Sequence, residues 1–122
     1  MAALPIAVEP AAALLRTLAN PARLGILLTL LDGEQSVAAL ETALGLRQPN
    51  LSQQVGELRE AGLIAARRES RAVFYSLADD AARRLAISLV QGFGGSVAAP
   101  LPPPVLRRPV QAAVFATVGD PA

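Results

Sequence analysis

Apolar positions recur along this chain first at helical and later at strand spacing. Leu14, Leu15 and Leu18 follow Pro10 at helical intervals and predict a first helix ending near Ala19. Asn20-Pro21 then reads as an N-cap followed by proline at the first helical position, where its missing N–H costs nothing. The helix it opens carries Leu24, Leu27, Leu28 and Leu31, with Ile26 and Leu30 on its other side. Apolar nearly all round, it is expected to be the central buried helix, ended by Asp32-Gly33. Ser36 is placed to cap a third helix bearing Val37, Leu40 and Leu44. That helix stops at Gly45, a residue that tolerates a left-handed turn.

Pro49 starts a fourth helix in which Leu51, Val55 and Leu58 form one core stripe. At about 100° per residue, Pro49, Asn50, Gln53, Gly56, Glu57 and Glu60 turn away from it. Gly62 closes the helix. Residues 63–67 and 73–77 alternate as strands do, with Val73, Tyr75 and Leu77 on one side and Phe74 and Ser76 on the other. Asp79 and Asp80 are candidate caps for a fifth helix with Leu85, Ile87, Leu89, Val90 and Phe93, broken by Gly92, Gly94 and Gly95. Beyond residue 96, Pro100, Pro102, Pro103 and Pro104 favour an extended stretch without a packed core, and the short apolar run 110–118 is expected to be loosely ordered.

The predicted fold is mainly α with a β-hairpin wing, in the order α-α-α-α-β-β-α. Helix, tight turn, helix and basic hairpin make a winged helix-turn-helix, which sets its second helix into the major groove of DNA. Three regions are expected: an N-terminal extension (1–9), a DNA-binding and dimerisation domain (10–95) and a proline-rich C-terminal tail (96–122).

A duller reading competes. In a plain helical bundle Leu44, Leu46, Leu51, Val55 and Leu58 are core, as they are in a winged helix. The bundle leaves unexplained the polar start of the fourth helix, where Gln48, Asn50, Ser52, Gln53 and Gln54 crowd one short segment. Amides donate and accept together, which bidentate recognition of adenine requires. Taken singly each is an ordinary solvated surface residue; the cluster beside a turn and a basic hairpin shifts the balance toward DNA. The hairpin tip likewise is either a charged turn that keeps a sheet edge soluble or a set of guanidinium groups, from Arg67, Arg68 and Arg71, that grip flanking phosphates. Helix capping accounts for Asp79 and Asp80 without a metal.

Composition narrows the function. Cysteine and histidine are both absent from the 122 residues, which removes disulfides, thiolate chemistry, the commonest metal ligand and the commonest general base. No enzyme, cofactor or metal is therefore expected. The net charge is only +1, but residues 1–46 hold two arginines against four acids, and residues 47–84 hold seven against five. The basic excess falls on the segment assigned to DNA. No apolar run reaches the roughly 18 residues that span a membrane, and the start MAALPIAVEP lacks a signal peptide's positive flank, so a cytoplasmic protein is expected. Leu14, Leu15, Leu18, Leu85, Leu89 and Phe93 exceed what one small core needs and are assigned to a homodimer interface between first and fifth helices.

Three ordered segments carry a resemblance. LANPARLGILLTLLDGE (18–34), LSQQVGELREAGLI (51–64) and RRESRAVFYSL (67–77) resemble the ArsR/SmtB family of bacterial repressors, over roughly residues 10–95. The resemblance implies a homodimer on a roughly palindromic double-stranded operator, with repression relieved by an effector. By position, Gln48, Asn50, Ser52, Gln53 and Gln54 match the family's recognition helix, and Arg67, Arg68 and Arg71 its wing. Family members sense metals through Cys, His and carboxylates, or persulfides through two cysteines. The wording here is closest to the persulfide-sensing branch, whose cysteines would fall near Leu28 and Gly94, and neither position is Cys. The expected input is thus neither metal nor thiol chemistry, and an apolar small molecule lodged near the dimer seam, between second and fifth helices, is the candidate effector. Two other readings stay open: a DNA-binding module without an effector, and a protein-interaction domain that kept the fold and lost DNA binding, which Glu57, Glu60 and Glu69 on the presumed DNA side favour.

Overall fold

The computed structural model describes residues 3–97. In chain order it forms helix α1 (Val8–Leu18), helix α2 (Pro21–Thr29) running on into a 3-10 turn (Leu30–Asp32), strand β1 (Gln35–Ser36), helices α3 (Val37–Leu44) and α4 (Asn50–Glu60), strands β2 (Ile64–Glu69) and β3 (Ala72–Leu77), and helix α5 (Asp80–Gly92). Most of the proline-rich tail, with the run 110–118, lies outside the described residues.

Local chemistry sets the starts of α2, α3 and α5 where the sequence places them, whereas α1 begins at Val8, ahead of the expected start after Pro10. Asn20 Oδ1 accepts from the N–H groups of Ala22 and Arg23 at 2.9 and 3.1 Å, occupying two donors that the first turn of α2 leaves without partners. Ser36 Oγ does the same for Ala39 N at 3.0 Å, and Asp79 Oδ1 for Ala82 N at 2.9 Å. At the turn between α3 and α4, Gly45 adopts φ +67°, a left-handed conformation that a Cβ would disfavour.

The patterning missed β1. Two residues cannot show an alternation, yet Gln35 and Ser36 pair with Tyr75 and Phe74. The result is a three-stranded antiparallel sheet in the order β1-β3-β2, which ties the hairpin back to the helical body. The β2–β3 register runs from Ile64 opposite Leu77 to Glu69 opposite Ala72, leaving Ser70 and Arg71 as a two-residue tip with Ser70 at φ 54°.

The core gathers Ile26, Leu27, Leu30, Leu40, Leu51 and Leu58 as its fully buried large side chains. Each contributes about 1.5–3 kcal/mol by leaving water. α2 packs against α1, α3, α4 and α5 and is the hub expected of it. Its burial is not complete, however, since Leu24 and Leu28 remain half-exposed. Among the described residues no single helix is long and apolar enough to cross a membrane.

Candidate nucleic-acid interface

Burial of Leu51, Val55 and Leu58 fixes the rotation of α4. The opposite stripe, with Asn50, Gln53, Gly56, Glu57 and Glu60, is exposed, as the helical periodicity requires. Gln48 and Ser52 are exposed at the helix start, whereas Gln54 is half-buried.

These polar residues are brought together but not left equally free. Pro49 stands at the N-cap and has no side-chain acceptor to offer. Gln48 supplies one instead, its Oε1 accepting from Ser52 N at 3.1 Å and from the Ser52 hydroxyl. Gln54 accepts from Arg23 Nε at 2.8 Å and donates to Asn50 Oδ1 at 2.8 Å. Arg23 in turn donates to the Thr17 carbonyl at 3.1 Å, one of the orphan acceptors at the end of α1. Gln54 therefore links α4 to α2, so that one of the amides expected at base edges is half-buried and engaged at both ends. Gln53 has no side-chain partner among the described residues.

The wing also divides. Arg67 lies across the strand pair from Phe74, with its guanidinium carbon 4.9 Å from the ring centroid. Its Nε and Nη2 hold Glu34 at 3.0 and 2.8 Å, and its Nη1 holds Glu69 at 2.7 Å. The hydrogen bonds to Glu34 and Glu69 hold the Arg67 guanidinium still more firmly in its charged form, and the Arg67 contact keeps the Glu34 carboxyl below its ordinary range. Arg67, expected to grip phosphate, is engaged with Glu34 and Glu69, and its side chain is still 50% exposed. Arg68, near the end of β2, and Arg71, at the tip, are exposed and enter no ion pair among the described residues.

Arg23, Glu34 and Phe74 are the partners of these side chains that pattern reading passed over. A lone arginine in the most apolar helix was the available signal for the first. Nothing local marks the other two, whose partner Arg67 arrives only with the folded sheet.

The residues assigned to the dimer surface differ in exposure. Leu15 is 51% exposed and Phe93 86%, while Leu14, Leu85 and Leu89 are half-buried. Leu18 is only 4% exposed and packs into the protomer's own core, so it is corrected out of the interface set. Val8, two helical turns before Leu15, and Leu4 and Ile6 just ahead of α1 join the exposed apolar residues. The cavity bordered by α5, about 250 Å³, is lined largely by polar groups such as Glu34, Ser76, Asp79 and Arg83 rather than by the apolar wall expected for an effector.

An exposed polar helix start set between a helix-turn-helix and a basic, body-anchored hairpin defines a winged helix-turn-helix domain. A family model described as a helix-turn-helix domain matches residues 18–67. The chain is 58% identical over 74 residues to the biofilm growth-associated repressor of Agrobacterium fabrum, a match covering 61% of this chain and 63% of that protein, just short of two thirds of its length. Its fold matches HlyU from Vibrio cholerae with a TM-score of 0.68 at 37% identity, over 74% of this chain and 98% of HlyU. It also matches Mb0332 from Mycobacterium bovis, described as a homodimeric winged helix-turn-helix DNA-binding domain and a possible ArsR-family regulator, with a TM-score of 0.58 at 35% identity over 74% of this chain and 89% of that one. The chain belongs to the ArsR family of winged helix-turn-helix transcriptional regulators.

Proposed function

We propose that the protein is a homodimeric repressor that binds a roughly palindromic operator, with α4 in the major groove and the wing on the flanking backbone. One observation carries this reading. Gln48, Asn50, Ser52 and Gln53 are exposed at the start of a helix rotationally fixed by its core stripe, beside a hairpin that presents Arg68 and Arg71. The wing arginines would supply phosphate contacts that position the domain, and the helix start would read base edges. Repression, rather than activation, follows the Agrobacterium relative's name. Two protomers joined through α1 and α5 would place their recognition helices in successive major grooves, about 34–36 Å apart.

No catalytic chemistry is assigned to the chain, which offers neither thiol nor imidazole. DNA as partner gives a cytoplasmic site of action. The input that releases DNA is assigned to a ligand other than a soft metal or reactive sulfur. Half-exposed Leu24 and Leu28 on α2 and Leu85 and Leu89 on α5 are the apolar surface such a molecule would meet at the seam.

The test is fluorescence anisotropy on sites selected from a randomised DNA pool, repeated across a salt series. Specific binding with a steep negative salt slope is the expected result. A folded dimer that selects no sequence, with affinity flat in salt, would leave the protein-interaction reading in its place.

A further inference from the structure

The amides at the start of α4 look alike in sequence, but the hydrogen bonds around them give each a direction. Arg23 Nε donates to Gln54 Oε1 at 2.8 Å. A guanidinium has donors only, so Gln54 must turn its carbonyl oxygen toward it. The Gln54 amide nitrogen is then left at the other end, where it donates to Asn50 Oδ1 at 2.8 Å. Asn50 must accordingly keep its oxygen on Gln54, and its own NH2 group is the end that faces solvent from an exposed position. The donor-only residue at the head of the row fixes both amides behind it.

Gln48 is polarised in the same sense. Its Oε1 accepts from the Ser52 backbone N–H at 3.1 Å, another donor that cannot reverse. The Gln48 nitrogen is therefore the end left for a partner. Gln53 is exposed and has neither end engaged among the described residues.

We propose that the Arg23–Gln54–Asn50 relay sets the hydrogen-bond polarity with which this helix reads DNA. Asn50 and Gln48 present donors alone and suit edges that offer acceptors alone, as guanine does through N7 and O6. Gln53 keeps the paired donor and acceptor that match adenine N6 and N7. Arg23 touches no base in this scheme. It is a positioning residue that acts through Gln54, held in place by its second bond to the Thr17 carbonyl. The inference rests on the reading that α4 enters the major groove and adds to it which base edges are read.

The relay predicts what happens when it is reversed. Gln54→Glu keeps an oxygen for Arg23 but has no donor, so Asn50 must turn its NH2 group inward and present Oδ1 outward. Asn50→Asp reaches the same outward acceptor without touching residue 54. Sites would be selected from a randomised DNA pool by the full chain and by each variant, and Asn50→Ala would mark the position that residue 50 reads as the one whose preference relaxes. The wild-type protein should prefer guanine there and adenine at the position marked in the same way by Gln53→Ala. Both reversing variants should shift the residue-50 position toward cytosine, whose N4 donates, by roughly tenfold, and leave the residue-53 position unchanged. A uniform loss of affinity with unaltered preference in both variants overturns the relay, as does a wild-type preference for adenine opposite Asn50. A folded wild-type dimer that selects no site at all defeats the recognition-helix reading itself, and the relay falls with it. The two failures are thus told apart.

Discussion

Arg67 and Glu34 meet through two hydrogen bonds, Nε to Oε2 at 3.0 Å and Nη2 to Oε1 at 2.8 Å, joining the wing to the turn that follows α2. Fork-to-fork pairing of this kind fixes orientation as well as distance. It gives the three wing arginines different work, although they stand within five positions of one another in sequence.

Substitutions in the wing should therefore separate. Arg68→Ala and Arg71→Ala should each weaken binding to every sequence and reduce the salt slope by about 0.9 per lost phosphate contact. Arg67→Ala should leave the slope unchanged and instead speed amide hydrogen exchange along β2 and β3, and Glu34→Ala should reproduce it. The double variant should add nothing further, since both single changes remove the same link. An Arg67→Ala slope that falls like that of Arg71→Ala would return Arg67 to the phosphate contacts.

Acid should act on the same link. The Glu34 carboxyl is held below its ordinary range, first by its hydrogen bond from Arg67. A carboxylate whose folded value is depressed contributes stability above its unfolded value, and the contribution disappears as pH falls through the folded one. Wing opening, read as exchange corrected for the intrinsic pH dependence of amide exchange, should thus be flat from neutral pH down to the ordinary glutamate range and rise below it. Glu34→Gln should abolish that acid-dependent rise, and persistence of the rise in that variant would assign it to another carboxylate.

What the sequence disclosed and what it hid follow one physical division. Asn20, Ser36, Gly45 and Asp79 act within a few residues of themselves, and helix-end rules place them without any knowledge of the fold. Leu51, Val55 and Leu58 repeat at helical spacing, so the exposed face of α4 was legible too. The partners of that face were not. Arg23 and Gln54 are 31 residues apart and Arg67 and Glu34 are 33, and side-chain pairing over such distances is decided by packing. Leu18 misled for a related reason, because an apolar residue on α1 reads the same whether it faces its own core or a second copy. β1 was too short to carry any pattern.

Gly56 should prove costly to the isolated protein. A Cβ at Gly25 would come 3.2 Å from Leu44 Cδ2, so that mid-helix glycine has a packing reason. At Gly56 a Cβ would meet nothing within 4 Å. Gly56→Ala should accordingly raise stability by about 0.5–1 kcal/mol, read as a higher denaturant midpoint at unchanged m. Gly56 shares the outward stripe with Gln53, so the same variant should bind its operator several-fold more weakly if DNA backbone comes close there. A stabilised variant with undiminished affinity would show that nothing approaches that point of α4.

The dimer seam should be sensitive at Leu15. Half of its surface is open in the protomer, so Leu15→Glu should leave the monomer folded while placing a charge in the proposed seam. In a two-fold interface every change occurs twice. The dissociation constant of the dimer should rise roughly tenfold to a hundredfold, measured by sedimentation, with a matching loss of affinity for a two-half-site operator and little for a half-site. A wild-type chain that sediments as a monomer at micromolar concentration, with and without DNA, would refute the seam outright.

The input provides the last expectation. Zn(II), Cu(I) and As(III) are held by thiolate and imidazole, and the 122 residues contain neither. No group of three or more potential ligands that could hold a metal ion occurs among the described residues. Asp79, which could be taken for a ligand, spends its Oδ1 on the Ala82 N–H at 2.9 Å. Peroxide and persulfide find no sulfur other than the single methionine thioether. Operator affinity should therefore stay constant when anisotropy titrations are repeated with micromolar zinc, arsenite, peroxide or persulfide. An effector must bind the DNA-free conformation more tightly than the DNA-bound one, and a tenfold preference corresponds to about 1.4 kcal/mol. Apolar probes should produce such a loss of affinity, and Leu28→Ser or Leu85→Ser should blunt it. A reproducible tenfold release of DNA by any of the metals or oxidants would mean that the sensing chemistry lies in groups not assigned to it.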